Sequence, residues 1–258
     1  MVYFASGQLD VDVGVIITAS HNPAEYNGFK ICRSQAVPIG EGAGMEEIKA
    51  LTLNQAFQDP DTKGERREEN DFHSQYLDHL KQFFKQGAVQ SKKKVVFDFA
   101  NAMGIMDKPI FEDLGAYLEP IFLYDQLDGN YPNHEANPLK TETLEKLQKK
   151  ILETGADLGV DYDGDADRVG FVDEKGGIIP MDYVTALIAK EILAKHPGGL
   201  VLVDLRSSNA VKEYIEEHGG KVDLCRVGHS LIKKQMRDEN AVFAGELSGH
   251  YYFDENFK

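Results

Sequence analysis

The chain has 258 residues, which is long enough for one large domain or two ordinary ones. Its residues are 42% hydrophobic and 28% charged, as in a soluble globular protein, and its formal net charge is -15. This charge argues against a general nucleic-acid binder or a binder of anionic membranes, because no basic field would steer the chain to such partners. Phosphate ligands remain compatible with it, since they need only local basic groups.

Membrane insertion and disulfide bonding are both disfavoured. No stretch approaches the length of a transmembrane helix, and the N-terminal residues lack the basic segment and apolar core of a signal peptide. The two cysteines, Cys32 and Cys225, are isolated and have no metal-ligand spacing. We therefore predict reduced structural thiols and a cytoplasmic location.

Short apolar runs alternate with amphipathic stretches along the chain. The predicted strands are, in order, DVGVIIT, KVVFDF, ADLGVDY, RVGFVDE, LVLVDL, KVDLCRV and AVFAGEL, and Met1–Ala5 is predicted to lead into the first strand with no preceding element. The predicted helices cover Met45–Gln55, Phe72–Phe84, Thr141–Glu153, Asp182–Lys195, Asn209–His218 and Ser230–Glu239. This alternation predicts an α/β fold of consecutive units, with mixed or parallel sheets sandwiched by helices.

Two polar stretches divide the chain into predicted units. The charged, turn-rich segment from Gln58 to Asp71 reads as a linker, and a second boundary is expected near Glu174–Gly177. The predicted units are therefore 1–72, 73–174 and 175–258.

The segment DYDGDADR carries the strongest chemical signal. Asp163, Asp165 and Asp167 alternate with small residues at the end of a predicted strand. Three converging carboxylates repel each other unless a hard cation binds between them, and Mg²⁺ prefers such oxygen ligands. Arg168 adds a planar donor fork that suits phosphate. The pattern predicts a Mg²⁺ site with room for a phosphate or water ligand.

Three other interpretations use the same residues. In an EF-hand these aspartates would hold loop positions 1, 3 and 5 and Glu174 position 12, but Arg168 stands where glycine is required. In a haloacid-dehalogenase-like phosphatase Asp161 or Asp163 would be the nucleophile, although Asp165 replaces the usual Thr or Val. In the third, the segment is a solvated acidic turn, which leaves the mutual repulsion of its carboxylates without a cation.

A second signal is Ser20 in TASHNP, which follows a buried-type strand. A bare serine hydroxyl is a poor nucleophile, and the GxSxG pattern of hydrolases is absent. Ser20 could instead carry a phosphoryl group, whose oxygen would complete the Mg²⁺ shell. His21 and Lys30 are then candidates for phosphate binding or proton transfer. Taken alone, TASHNP is equally compatible with a polar turn.

Four motifs, TASHNP, YNGFK, DGDADR and GELSGH, occur in this order, with DGNYPNHEANP and VGHSLIKKQM between them. Together they resemble the α-D-phosphohexomutase family, the phosphomannomutase/phosphoglucomutase enzymes. The resemblance implies a phosphohexomutase-like fold and covers essentially the whole chain. It corresponds to the later part of family domain 1, then domains 2 and 3. The first part of domain 1, and domain 4 with its phosphate-binding loop, have no counterpart, and whether the chain is a fragment stays open.

The resemblance assigns a role to each matching residue. Ser20 corresponds to the serine that carries the phosphoryl group and to a metal ligand. The other implied metal ligands are Asp163, Asp165 and Asp167. The other implied catalytic residues are His21, Lys30, Arg168 and His250. The implied substrate-binding residues are Arg206, Gly228, His229, Glu246 and Ser248. Arg206 stands where many relatives have lysine, and Asp161 is a carboxylate where relatives often have a small apolar residue.

The implied activity is interconversion of hexose 1-phosphate and hexose 6-phosphate, of mannose and/or glucose, through a phosphoserine and a bisphosphorylated sugar. It implies one Mg²⁺ per chain and hexose 1,6-bisphosphate as activator. The expected partners are hexose phosphates, with no nucleic acid and no membrane, and the state could be monomer or dimer. Two alternatives stay open: a truncated module that binds Mg²⁺ and sugar phosphate without full turnover, and a metal-dependent phosphatase.

Overall fold

The computed structural model describes residues 1–58, 61–68, 71–85 and 89–257. Within these ranges the strands are β1 (Val13–Ile17), β2 (Phe29–Arg33), β3 (Pro38–Ile39), β4 (Lys93–Asp98), β5 (Leu118–Leu123), β6 (Leu158–Tyr162), β7 (Val169–Asp173), β8 (Ile178–Ile179), β9 (Leu200–Asp204), β10 (Lys221–Cys225), β11 (Phe243–Gly245) and β12 (Tyr251–Phe253). The α-helices are α1 (Val2–Gln8), α2 (Met45–Leu53), α3 (Phe72–Lys81), α4 (Lys108–Asp113), α5 (Glu145–Thr154), α6 (Met181–Lys195), α7 (Asn209–Glu217) and α8 (His229–Glu239). Among the described helices, none has the length and apolar character needed to cross a membrane.

The first sheet is a small antiparallel one in the order β1-β2-β3. Helix α1 precedes it, so the prediction that Met1–Ala5 leads directly into a strand is wrong. The physical reason is packing: Phe4 is buried, with its ring 5.2 Å from that of Phe72 on α3. The helix places Phe4 and Ser6 in the interior. Over so few residues, the pattern of apolar side chains does not distinguish a helix from a strand.

The second sheet is mixed, in the order β5-β4-β6-β7-β8. β4 is parallel to both β5 and β6, while β7 is antiparallel to β6 and to β8. Helix α5 covers one face, where Leu147 and Ile151 pack with Val96 and Val172. The other face is largely aromatic around Phe97. β8 extends this sheet beyond the predicted boundary at 174.

The third sheet has the order β10-β9-β11-β12, with parallel β10, β9 and β11 and antiparallel β12. Residues of α6 and α7, including Leu193 and Ile215, pack on one face. Residues of α8, including Ile232 and Met236, pack on the other. The predicted α/β class, with mixed sheets between helices, is confirmed.

All seven predicted strands and all six predicted helices are present, with ends shifted by a few residues. The predicted linker lies partly outside the described residues, and its described part, 61–68, contains no helix or strand. Sequence patterns did not predict α1, α4, β2, β3, β5, β8 and β12, each of which has at most two fully buried residues. These elements bury few side chains, so they carry little hydrophobic periodicity.

Candidate active site

The Ser20 loop follows β1 and reaches the second sheet. The backbone of Ser20 has φ 56°, a left-handed conformation that is strained for a residue with a side chain. Its N–H donates a hydrogen bond to Thr18 Oγ1 at 2.8 Å, which holds the turn. The hydroxyl Oγ donates to Asp163 Oδ2 at 3.1 Å. The predicted serine and the first predicted metal ligand are therefore in direct contact.

The aspartate loop, residues 163–168, connects β6 to β7. Asp163 organises it, because its Oδ1 accepts hydrogen bonds from the backbone N–H groups of Asp167 at 3.0 Å and Arg168 at 3.1 Å. Ala166 adopts φ 58° to complete the turn. The three predicted aspartates each offer an oxygen within 4.8 Å of the others.

The aspartate loop fits a hard cation. Asp163 is fully buried, and Asp165 Oδ1 is buried without a hydrogen-bond partner among the described residues. A buried carboxylate oxygen that no protein group satisfies costs free energy unless a cation or water meets it. An all-oxygen cluster of this kind suits Mg²⁺. The residues present therefore agree with the predicted metal.

Charged side chains of both signs lie close together in and around the aspartate loop. Burial, reinforced by Asp167 and Asp165, raises the pKa of Asp163 to about 7. Lys30 on β2 pairs with Asp165 at 2.6 Å and also with Asp167. Burial alone would lower the pKa of Lys30, but these ion pairs raise it overall. Lys30 is thus a protonated ammonium group placed where the carboxylates need positive charge.

The structure disagrees with the EF-hand, with the solvated turn and with Asp161 as a phosphatase nucleophile. An EF-hand is contradicted, because the residues after the loop form β7 and pair with β6 instead of beginning a helix. A solvated turn disagrees with the complete burial of Asp163. Asp161 is only 1% exposed, which gives it no access to a substrate as a phosphatase nucleophile.

Gly164 lets the Ser20 loop approach the aspartate loop closely. A Cβ atom at this position would lie 2.1 Å from the Ser20 carbonyl oxygen, and real Cβ atoms do not approach backbone so closely. Only glycine therefore permits the observed contact.

Replacing Gly164 with alanine is expected to lower the free energy of unfolding by about 1–3 kcal/mol, because one of the two loops must move. Denaturant unfolding measures this change. Gly129→Ala is the matched control, since a Cβ there meets nothing within 4 Å. Equal stabilities of the two variants would contradict the close docking of the loops.

The segment GELSGH forms the turn between β11 and β12 and brings His250 to the aspartate loop. His250 Nε2 lies 3.0 Å from Asp167 Oδ1, and Nδ1 lies 3.1 Å from Glu246 Oε2. Ser248 Oγ is 2.8 Å from the same Nδ1. Burial would lower the pKa of His250, but the hydrogen bonds to Asp167 and Glu246 raise it to about 9.

Glu246 is 2% exposed and is held by protein groups. Its Oε2 accepts a hydrogen bond from the Tyr252 hydroxyl at 2.6 Å, and its Oε1 accepts one from the Gly228 N–H at 3.2 Å. In this conformation the carboxylate orients His250 and the turn before α8. Direct contact of Glu246 with a sugar hydroxyl stays a prediction.

The remaining predicted residues surround the same region. His21 Nδ1 lies 3.3 Å from Ser20 Oγ, and burial together with Arg168 lowers the pKa of His21. Arg168 Nε lies 3.7 Å from Asp163 Oδ2. His229 begins α8 directly after Gly228, whose N–H donates to Glu246. Burial and the nearby charge of Lys30 lower the pKa of His229.

Arg206 reaches the site indirectly. Its Nε donates to Asp204 Oδ1 at 2.9 Å, and Asp204 Oδ2 accepts the N–H of Leu247 at 3.3 Å. Asp204, fully buried at the end of β9, thus ties Arg206 to the turn that carries His250. Asp204 was not predicted as a site residue, although it lies at the carboxyl end of β9, where catalytic and binding groups of α/β proteins gather. Tyr252, which no sequence signal marks, was not predicted either.

Sequence models of the phosphoglucomutase/phosphomannomutase family match the chain in three parts. The model for alpha/beta/alpha domain I matches residues 1–59, that for domain II residues 74–177, and that for domain III residues 180–258. The matches fall on the regions that contain Ser20, the aspartate loop and the GELSGH turn, respectively.

Curated relatives and solved structures agree with these matches. The chain is 41% identical to a phosphomannomutase of Methanocaldococcus jannaschii over 95% of this chain and 54% of the relative. It is 38% identical to a phosphomannomutase/phosphoglucomutase of Pseudomonas aeruginosa over 100% of this chain and 54% of the relative. A phosphoglucomutase/phosphomannomutase family protein of Burkholderia thailandensis superposes with a TM-score of 0.87 at 32% identity, covering 98% of this chain and 55% of that one. The chain thus spans about half the length of these relatives.

Proposed function

Because the chain belongs to the phosphoglucomutase/phosphomannomutase family, we propose that it serves in the interconversion of hexose 1-phosphate and hexose 6-phosphate, of mannose and/or glucose. The observation that carries this proposal is the contact between the Ser20 hydroxyl and Asp163, 3.1 Å apart. It joins a potential phosphoryl carrier to a cluster of metal-binding carboxylates. The names of the similar proteins support both sugars.

We propose that Asp163, Asp165 and Asp167, with an oxygen on Ser20, hold one Mg²⁺. Their oxygens lie within 4.8 Å of one another, and one oxygen of Asp165 has no partner among the described residues. When bound, Mg²⁺ would neutralise charge on the phosphoryl group in transfer. Lys30, which pairs with two of these carboxylates, would then be released toward the phosphate or the sugar.

In the proposed cycle the phosphoryl group of phosphorylated Ser20 passes to the free hydroxyl of the bound sugar phosphate. The bond from phosphorus to Ser20 Oγ breaks, and a bond to the sugar oxygen forms, giving a bisphosphorylated hexose. After the sugar turns over, its other phosphate returns to Ser20. Hexose 1,6-bisphosphate would act as activator by loading Ser20 in the same way.

We propose that the basic groups around Ser20 bind the phosphoryl group and transfer protons. Arg168, beside Asp163, would bind the transferring phosphoryl group with its planar donors. His21 lies 3.3 Å from Ser20 Oγ, and His250 and Lys30 both contact Asp167. We propose that His21, whose pKa is lowered, takes up the proton of the attacking hydroxyl and returns it on the second transfer, while the protonated His250 and Lys30 neutralise negative charge.

The GELSGH turn and its neighbours would bind the hexose phosphate. Arg206 and His229 supply positive or polar groups for its phosphate, and Ser248 supplies a hydroxyl. Gly228 and Glu246 shape this surface through their 3.2 Å hydrogen bond.

We propose that each unit carries one functional loop. Unit 1–72 carries the phosphoserine loop, unit 73–174 the metal loop and unit 175–258 the sugar-binding loop. The three separate sheets support this division, with β8 extending the second unit to Ile179. The free, buried thiols of Cys32 and Cys225 accord with the proposed cytoplasmic location.

Phosphorus NMR tests the proposed function against its alternatives. The chain is incubated with glucose 1-phosphate, Mg²⁺ and a trace of glucose 1,6-bisphosphate. A growing 6-phosphate signal would support the mutase. Inorganic phosphate released equally by Ser20→Ala would indicate a phosphatase instead. Unchanged spectra, with sugar phosphate binding detected by calorimetry, would indicate a binding module that needs further parts of a longer protein.

A further inference from the structure

We propose a second metal site, formed by Asp98, His134 and Asp161, that binds a transition-metal dication of the zinc class. Asp98 and Asp161 are direct register partners at the ends of the parallel strands β4 and β6. Side chains of register partners point to the same face of a sheet, so the two carboxylates lie side by side. His134 reaches them from the connection between β5 and α5.

The three side chains form a compact and enclosed cluster. Each offers a ligand atom within 4.8 Å of the others, and His134 Nε2 lies 3.2 Å from both oxygens of Asp98. Asp98 is fully buried and Asp161 is 1% exposed. At metal–ligand distances of about 2.0–2.2 Å, neighbouring ligands of a tetrahedral ion are roughly 3.4 Å apart. Small side-chain adjustments would therefore close the cluster around an ion.

Asp161 supplies an independent indication that a ligand belongs here. Both of its carboxylate oxygens are buried without a hydrogen-bond partner among the described residues. Asp98, by contrast, accepts a hydrogen bond from the Ala100 N–H at 2.9 Å. An unpartnered carboxylate in the interior is costly, and coordination of a cation is one way to satisfy it.

The ring of His134 is oriented as in a metal ligand. Its Nδ1 lies 2.9 Å from the backbone carbonyl oxygen of Glu135, so Nδ1 must carry the proton and donate it. Nε2 lies 3.2 Å from both oxygens of Asp98, which only accept, so without a metal it carries a proton and pairs with Asp98. A bound metal would replace this proton. A histidine fixed by a backbone carbonyl in this way is typical of metal-binding histidines.

The donor set distinguishes this cluster from the aspartate loop. Imidazole nitrogen suits Zn²⁺ and similar ions, whereas Mg²⁺ prefers oxygen ligands alone. The two sites should therefore differ in metal preference, although Asp161 in β6 lies only two residues before Asp163 in the aspartate loop.

A metal bound by His134, Asp98 and Asp161 would link the segment of residues 124–140 to the second sheet. Asn133 in this segment donates to Asn101 Oδ1 at 2.7 Å, and the Tyr131 hydroxyl oxygen lies 3.1 Å from where a Cβ on Gly164 would be. The segment therefore touches the aspartate loop, so the second metal would act as a structural clamp beside the first site.

Zinc retention in the presence of excess Mg²⁺ tests the proposal. The wild-type chain, Asp161→Asn and Asp165→Asn are dialysed with Zn²⁺ and Mg²⁺, and bound zinc is counted by elemental mass spectrometry. We expect one Zn²⁺ per chain in the wild type and in Asp165→Asn, and none at this site in Asp161→Asn. Equal retention by wild type and Asp161→Asn would overturn the proposal, as would loss in Asp165→Asn alone.

Thermal unfolding shows whether a loss of zinc in Asp161→Asn is due to a folding defect. Asp161→Asn removes a buried, unpartnered charge, so its metal-free Tm should equal or exceed that of the wild type. Added Zn²⁺ should raise the Tm of the wild type and leave that of Asp161→Asn unchanged. No shift in the wild type would overturn the site and leave a proton shared between Asp98 and Asp161 as the explanation of the cluster.

Discussion

Replacing Ser20 with alanine is expected to abolish the proposed interconversion of hexose 1-phosphate and hexose 6-phosphate. The Ser20 Oγ is the proposed acceptor and donor of the phosphoryl group, and alanine has no oxygen to carry it. Among the described residues, no other side-chain hydroxyl forms a hydrogen bond with Asp163, Asp165 or Asp167. The measurement is the rate of appearance of the 6-phosphate in phosphorus NMR.

Ser34→Ala is the matched control for this loss, because Ser34 is an exposed serine just after β2. We expect its rate to equal that of the wild type. Wild-type turnover by Ser20→Ala would show that phosphoryl transfer does not pass through this serine.

Replacing Asp163 with asparagine is the second change with a large expected effect. Asp163 contacts Ser20 Oγ at 3.1 Å and two backbone N–H groups of its own loop. The amide removes the negative charge that would bind Mg²⁺. Its oxygen can still accept both backbone N–H groups, and its NH₂ group replaces the oxygen that accepts the Ser20 hydroxyl. We expect turnover to fall by roughly 100- to 1000-fold, the usual cost of losing one preorganised electrostatic group.

Calorimetric titration with Mg²⁺ shows whether the fall in turnover of Asp163→Asn is due to weaker metal binding. Asp163→Asn should bind Mg²⁺ much more weakly than the wild type, whereas Asp10→Asn, an exposed aspartate before β1, should bind it normally. The variant should remain folded, since burial raises the pKa of Asp163 to about 7 and its negative charge therefore destabilises the metal-free fold. Unchanged Mg²⁺ affinity would contradict the assignment of Asp163 as a ligand.

The long, periodic elements and the charged motifs could be predicted from the sequence for physical reasons. A helix such as α6 and a strand such as β9 bury regular sets of side chains, and hydrophobic periodicity records burial. The proximity of Asp163, Asp165 and Asp167 follows from their spacing at a strand end, and the structure places them within 4.8 Å.

Contacts that depend on distant parts of the chain could not be predicted. The sequence predicts a sugar contact for Glu246, but the fold brings Tyr252 and Gly228 onto its carboxylate. Likewise, only the register of β4 and β6 places Asp161 beside Asp98. Such pairings are set by tertiary packing, which leaves no local pattern in the residues involved.

Phosphorylation of Ser20 is the central claim, and intact mass spectrometry tests it most directly. The chain is incubated with Mg²⁺ and glucose 1,6-bisphosphate, weighed, digested and mapped. We predict a gain of about 80 Da, one phosphoryl group, located on Ser20 and absent from Ser20→Ala. A gain on another residue, or an equal gain in Ser20→Ala, would contradict the account; so would no gain both here and in a chain extended at both ends.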